Sequence, residues 1–199
     1  VDSSLEINVI LLYCGTSKAA LISFDTLSIG SRLRLIAQQC LPDFDNSSIL
    51  LCASHTHFAP ALDSLLPKLG ETEEHYLEMV DKAFRKLLLH VLSTKSIPVD
   101  LRYTRSTTDQ LTVNRRRVVP WLPTLKGKRL SFNRVVNAPN PQGVKDESVH
   151  AVGCYPQDAV GQNPIALFWS YPCHPVCQPY KGAISSDFPG DVRASMRQI

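Results

Sequence analysis

No stretch of this sequence approaches the roughly 18 apolar residues that a membrane-spanning helix needs, so it offers no spanning segment. A charged start followed by an apolar core and a small-residue cleavage site, the layout of a secretory leader, is also missing. The chain opens at Val1 rather than Met, and it reads as a fragment or a processed form. Charge of either sign is modest: the formal net charge is +3, and the densest basic run is the short Arg115-Arg116-Arg117. Nucleic-acid binding usually needs a concentrated basic face, so composition points away from it. Six cysteines stand at 14, 40, 52, 154, 173 and 177, with no pair spaced C-x-x-C. A chain of 199 residues has no need of a disulfide framework, and these cysteines read mostly as reduced, small apolar residues. Internal repeats and low-complexity stretches are absent too.

What is present is ordinary for a globular chain. The hydrophobic fraction is 44% and the charged fraction 20%, enough to bury a sizeable core. Ile7 to Tyr13 and Ala19 to Phe24 are apolar runs around the turn Gly15-Thr16-Ser17-Lys18 and predict a β-hairpin, with Asp25 at the end of its second strand. Ser31 to Cys40 predicts a helix ending before Pro42. Ser48 to Ala53 is a short continuous apolar run, as in a buried strand. Thr72 to Leu92 is the clearest helix. Tyr76, Leu77, Val80, Ala83, Phe84, Leu87, Leu88 and Val91 form one stripe, with Thr72 as its expected cap. Val99 to Thr107, Ser148 to Tyr155 and Pro164 to Tyr171 predict strands, and a last helix starts near Asp187. Residues 114–147 are rich in Pro, Asn, Gly and basic residues without a period. They read as an irregular excursion, a lid or substrate loop. The fold class expected is α/β in the mixed α+β sense, a layered β-sheet core flanked by helices, in a single partial domain over residues 1–199.

Four segments carry residues suited to chemistry. Ser54-His55-Thr56-His57-Phe58-Ala59-Pro60 follows the apolar run 48–53 directly. In an extended segment residues two apart face the same way, which would set His55 and His57 side by side at a strand end, where sites are commonly built. Two imidazoles so placed can share a zinc ion, or one can bind while the other handles a proton. Equally, they can be two polar loop histidines. Tyr171-Pro172-Cys173-His174-Pro175 follows another apolar strand, and Pro175 biases His174 towards extended backbone. Either Cys173 or Cys177 beside His174 would offer a thiolate, although the spacing matches no standard structural zinc pattern. Val113-Asn114-Arg115-Arg116-Arg117 offers guanidinium donors for a carbonyl, carboxylate or phosphate oxygen, or is a solvated basic loop. Ile184-Ser185-Ser186-Asp187-Phe188-Pro189-Gly190 precedes a helix. Asp187 there is an N-cap or a carboxylate that holds a metal-ligating histidine, and Asp25 is a weaker candidate of the same kind.

Taken in order, these pieces resemble the N-terminal catalytic domain of neutral/alkaline non-lysosomal ceramidases, especially the shorter bacterial-type relatives. The matching segments are Leu21-Ile22-Ser23-Phe24-Asp25, Ala53-Ser54-His55-Thr56-His57-Phe58-Ala59-Pro60, Val113-Asn114-Arg115-Arg116, Ala166-Leu167-Phe168-Trp169-Ser170-Tyr171-Pro172-Cys173-His174-Pro175 and Ile184-Ser185-Ser186-Asp187-Phe188-Pro189-Gly190. Together they span roughly residues 7–197. The resemblance implies that His55 and His174 are zinc ligands, that His57 lies beside the metal and contacts the reacting group, and that Arg115 lines the site, with Arg116 as its immediate rival. It implies a zinc-dependent amidohydrolase cleaving the N-acyl bond of a ceramide-like lipid, with access to substrate at a membrane surface and a secreted or periplasmic location.

The resemblance also implies parts that residues 1–199 do not supply. The family completes its zinc site with a glutamate and a tyrosine further downstream, and places its active-site serine in a Gly-Asp-rich loop. Gly190-Asp191-Val192 is only superficially similar to that loop and is followed by Arg193 where a serine would be wanted. Two other readings therefore stand beside the hydrolase. One is a catalytically inactive binding domain on the same fold. The other is a metal-dependent esterase or phosphoesterase.

Overall fold

The computed structural model describes residues 3–108, 111–122, 124–129, 132–157, 161–179 and 182–198. The chain divides into two compact units, Val1–Ile97 with His174–Ile199, and Pro98–Cys173. The architecture is mixed α+β, with its strands in several small sheets.

The first unit is built on β1 (Ile7–Cys14) and β2 (Ser17–Phe24), an antiparallel hairpin closed by Gly15-Thr16. Gly15 sits at φ +56° and Thr16 does not share that sign, the pattern of a II′ turn, which demands glycine at its first central position. From β2 the chain crosses through α1 (Ser31–Cys40) to β3 (Ile49–Ala53), which pairs parallel to β2. A parallel pair needs such a crossover. Ala20, Ile22 and Phe24 alternate along β2 with nearly complete burial. They meet Leu33, Ile36 and Ala37 of α1 and Leu77, Val80, Phe84 and Leu88 of α2 (Glu74–Ser93) in one core. Phe24 and Phe84 pack edge to face with centroids 4.9 Å apart. The buried stripe of α2 is narrower than its sequence suggests, because Ala83 is exposed. Its cap also differs from the expected Thr72. The Glu73 carboxylate accepts the N–H groups of His75 and Tyr76 at 3.0 and 2.7 Å, and an anion there suits the helix dipole.

The last element of this unit is α3 (Asp187–Met196). Its expected apolar residues Val192 and Met196 are exposed; the third, Ile199, lies outside the described residues. Charge anchors the helix instead. Arg193 forks onto Asp25, with Nη1–Oδ1 at 3.3 Å and Nη2–Oδ2 at 2.5 Å. Arg197 forks onto Glu6 at 2.8 and 2.7 Å. Arg197 holds the Glu6 carboxyl below its ordinary range, partial burial opposing and Arg193 assisting. At the first turn of α3 the backbone runs against Ser186. A Cβ on Gly190 would lie 1.8 Å from Ser186 Oγ and 2.6 Å from its Cβ. Ser186 is almost wholly buried and cannot swing away. Gly190→Ala is therefore expected to cost about 2–3 kcal/mol by overpacking, a melting-point loss of roughly 5–10 °C in a calorimetric scan.

The second unit contains β4 (Val99–Thr107), β9 (Ser148–Pro156) and β10 (Ala166–Ser170), an antiparallel sheet ordered β10-β9-β4. Between β4 and β9, strands occupy much of the stretch 114–147 expected to be irregular, while residues 141–147 do lack regular structure. β5 (Asn114–Trp121) and β8 (Phe132–Asn140) form a long antiparallel ribbon, with β6 (Thr124–Leu125) and β7 (Lys128–Arg129) at its tip. Lys126 and Gly127 both have positive φ, as a two-residue I′ turn requires. The ribbon's register shifts between Asn114 and Arg116, where Ala138 and Pro139 stand opposite Arg115. A proline is tolerated at such a bulge.

Candidate metal centre

Parallel pairing of β2 and β3 aligns Phe24 with Ala53, so both strands end at the same edge. The ladder continues briefly beyond them. Ser54 N–H donates to the Phe24 carbonyl at 2.9 Å and His55 N–H to the Thr26 carbonyl at 3.0 Å. The backbone then turns. His55 sits at φ +66°, left-handed rather than extended, so the alternation expected for His55 and His57 does not apply. Histidine is among the few non-glycine residues that enter this region. What sends both rings outward is Thr56, fully buried between them. Its Oγ1 donates to the Ser185 carbonyl at 2.9 Å and accepts from Phe58 N–H at 3.3 Å. Ser185 N–H in turn donates to the Phe58 carbonyl at 2.9 Å. This stapling binds the His-Thr-His turn to the segment preceding α3.

His174 arrives from the far end of the sequence. Val176 N–H donates to the His174 carbonyl at 3.0 Å, closing a three-residue turn about Pro175, whose fixed φ suits it. The segment just beyond is held by Asp187. Its Oδ2 accepts from Cys177 N–H at 2.9 Å and Gln178 N–H at 3.0 Å, while Oδ1 accepts from Phe188 N–H at 2.7 Å. Asp187 is buried and sits at φ +55°. It is therefore no ordinary N-cap. It is a carboxylate clamp on the loop that carries His174. The 185–186 segment is pinned from its other side by Ser3 Oγ, 3.0 Å from Ser185 Oγ and 2.9 Å from Ser186 Oγ.

The three imidazoles come together. Ring centroids lie 5.3 Å apart for His55 and His57, 5.0 Å for His55 and His174, and 4.6 Å for His57 and His174. One nitrogen from each ring lies within 4.8 Å of the others. Nitrogens sharing one tetrahedral zinc at about 2.1 Å are roughly 3.4 Å apart, so modest side-chain rotation closes the difference. His55 Nδ1 is 2.7 Å from the Leu27 carbonyl. A carbonyl only accepts, so Nδ1 carries the proton and Nε2 is the ring's metal-facing donor, the arrangement usual for metal-binding histidines. The donor set thus could hold a divalent ion that accepts imidazole. Cysteine does not join the cluster among the described residues. Burial, and secondarily the Asp187 carboxylate, push the Cys177 thiol up, away from the thiolate a metal would need.

Asp25, buried beneath α3, accepts Glu6 N–H at 3.0 Å as well as the Arg193 fork, which makes it a structural ion-pair partner. Arg115 belongs to the second unit, exposed at the ribbon's bulge. Thr56 and Ser185 were not singled out as functional by sequence reasoning, since small hydroxyl residues flanking charged or aromatic ones leave no pattern of their own. Beside the cluster, Ser54 Oγ is buried without a hydrogen-bond partner, a cost of about 1–3 kcal/mol next to His55.

Fold and site together define an α+β protein with a three-histidine cluster that could hold a metal ion, at the carboxyl ends of paired parallel strands. No protein-family model matches the chain, and no curated protein matches it.

Proposed function

We propose that this chain provides the histidine core of a zinc-dependent hydrolase that cleaves an amide bond, with a ceramide-like N-acyl lipid as substrate. The observation that carries this is the approach of His174 to His55 and His57, remote from it in sequence, with one nitrogen of each ring within 4.8 Å of the others. The ordered likeness of their flanking segments to neutral ceramidases supports the choice of amide chemistry. His55 and His174 are the proposed protein ligands, His55 through Nε2. Bound zinc supplies Lewis acidity and lowers the pKa of water from about 16 to about 7. His57, exposed on the same rim, donates a hydrogen bond to the oxygen that gains charge when the carbonyl is attacked. Such a donor is worth on the order of 3 kcal/mol in the transition state.

The test pairs metal binding with turnover. Titrating zinc into the chelator-treated protein is expected to give one site per chain by calorimetry. The full-length protein is expected to hydrolyse a fluorescent short-chain ceramide only with metal present. One bound zinc with no amide cleavage would replace the hydrolase by a binding domain, and preferential cleavage of the matching ester or phosphoester would change the reaction class.

A further inference from the structure

The stretch ahead of β1 is anchored at two points. Ser3 Oγ accepts the Ser186 N–H at 2.9 Å, and it lies 3.0 Å from Ser185 Oγ and 2.9 Å from Ser186 Oγ. A hydroxyl donates one hydrogen bond and accepts two, so these three partners fill its capacity. Further on, Glu6 N–H donates to Asp25 Oδ2 and the Glu6 carbonyl accepts from Asp25 N–H, both at 3.0 Å. The Glu6 carboxylate takes the Arg197 fork. Glu6 thus holds the body of α3, whereas Ser3 holds the segment in front of it.

That segment is where both arms of the histidine cluster meet. Ser185 and Ser186 are each 1% exposed, so bulk water does not replace a partner they lose. Ser185 passes the hold on in two directions. Its carbonyl accepts from Thr56 Oγ1 and its N–H donates to the Phe58 carbonyl, both at 2.9 Å, which fixes the turn of His55 and His57. Its Oγ accepts the Asp187 N–H at 3.1 Å. The Asp187 carboxylate then holds the N–H groups of Cys177 and Gln178 just beyond His174. One hydroxyl, more than 50 positions from His55 and more than 170 from His174, therefore braces the segment that positions all three rings.

We propose that Ser3 is a positioning residue of the three-histidine cluster, acting on its rings through Ser185 and Ser186. Its effect on metal affinity rests on the zinc reading above; its effect on the two arms does not. The test therefore has two readouts. One is hydrogen exchange, without metal, at the amides of Phe58, Cys177 and Gln178, none of which bonds to Ser3. The other is zinc calorimetry. In Ser3→Ala the three amides are expected to exchange about tenfold faster through local opening, while the amides of α2 keep their parental rates, and zinc affinity is expected to fall about tenfold. Ser3→Thr keeps the hydroxyl and is expected to match the parent in both readouts. Ser3→Cys offers only a weak acceptor and is expected to fall between; it decides the case if Ser3→Ala does not fold. Ser48→Ala removes a hydroxyl that donates to the Asp45 carbonyl at 2.8 Å in the same unit, and is expected to leave both readouts unchanged. A Ser3→Ala protein that melts lower yet keeps parental exchange at all three amides would reduce Ser3 to a structural contact and overturn the proposal. Parental zinc affinity beside faster exchange would do so too, because the arms would then move without moving the rings. Equal losses in Ser3→Ala and Ser3→Thr would show that the hydroxyl is not the cause. A parent that binds no zinc would end the metal reading alone, and the exchange rates would still decide this one.

Discussion

His174→Ala is expected to lower the affinity for zinc by at least about a hundredfold, and His55→Ala to do the same. Each removes one of the donors that lie within 4.8 Å of one another. Loss of a mere outer partner of a metal-binding histidine already costs 10–100-fold, so loss of a direct donor sits at or beyond the upper end of that range. The two losses have different causes. His55 is pre-set by the bond from its Nδ1–H to the Leu27 carbonyl, so its Nε2 needs little reorganisation to bind. His174 owes its place to a loop whose backbone N–H groups are held by Asp187. His57→Ala is expected to keep one zinc per chain with affinity down only about tenfold, and to lower amide hydrolysis by about a hundredfold. Cys173→Ser and Cys177→Ser are expected to leave zinc binding unchanged. Calorimetry and metal analysis decide each case. Intact zinc affinity in both His55→Ala and His174→Ala would reject the ligand assignment, and a collapse in His57→Ala equal to theirs would make all three rings ligands.

The elements that could be read in advance are those with one wet and one dry side. α1 and α2 pack against β2, so their apolar residues repeat with helical period, and β2 alternates because only one face meets α1 and α2. The β5–β8 ribbon was illegible for the opposite reason. Exposed on both faces, it has no dry side to impose alternation, and Pro120 and Pro139 look like loop residues until they are seen at an open edge and a bulge. Long-range pairings left no trace either. Arg193 and Asp25 are separated by 168 positions, and nothing near Arg193 in the chain announces its partner.

The site was partly legible, but by a rule that the backbone does not follow. Strand alternation pointed to His55 and His57 as neighbours. They are neighbours because Thr56 is drawn into the core by the Ser185 carbonyl and because His55 adopts a left-handed backbone. Three described non-glycine residues have positive φ: His55, Asp187 and Lys126. Lys126 belongs to a hairpin turn, where that geometry is expected. The other two belong to the cluster and its clamp. Strained backbone that persists in a folded chain is held there by its surroundings, here by the stapling of the His-Thr-His turn to the 184–187 segment.

That coupling gives Asp187 an effect larger than its distance from the proposed metal suggests. Its carboxylate accepts three backbone N–H groups, from Cys177, Gln178 and Phe188, in a position that is buried. Removing the carboxylate leaves those donors unpaired at about 1–3 kcal/mol each. Alanine also resists the left-handed backbone that aspartate and asparagine accept. Asp187→Ala is therefore expected to lose several kcal/mol and to fold poorly. Asp187→Asn is the decisive variant. It keeps the backbone conformation and one acceptor oxygen, but turns an amide N–H₂ towards a donor that needs an acceptor. The expected result is a folded protein with melting lowered by roughly 5 °C and zinc affinity reduced about tenfold. A purely structural Asp187 would lower melting and spare the metal. A carboxylate that works through the His174 loop lowers both, and the added double variant Asp187→Asn with His174→Ala would bind zinc no more weakly than His174→Ala alone.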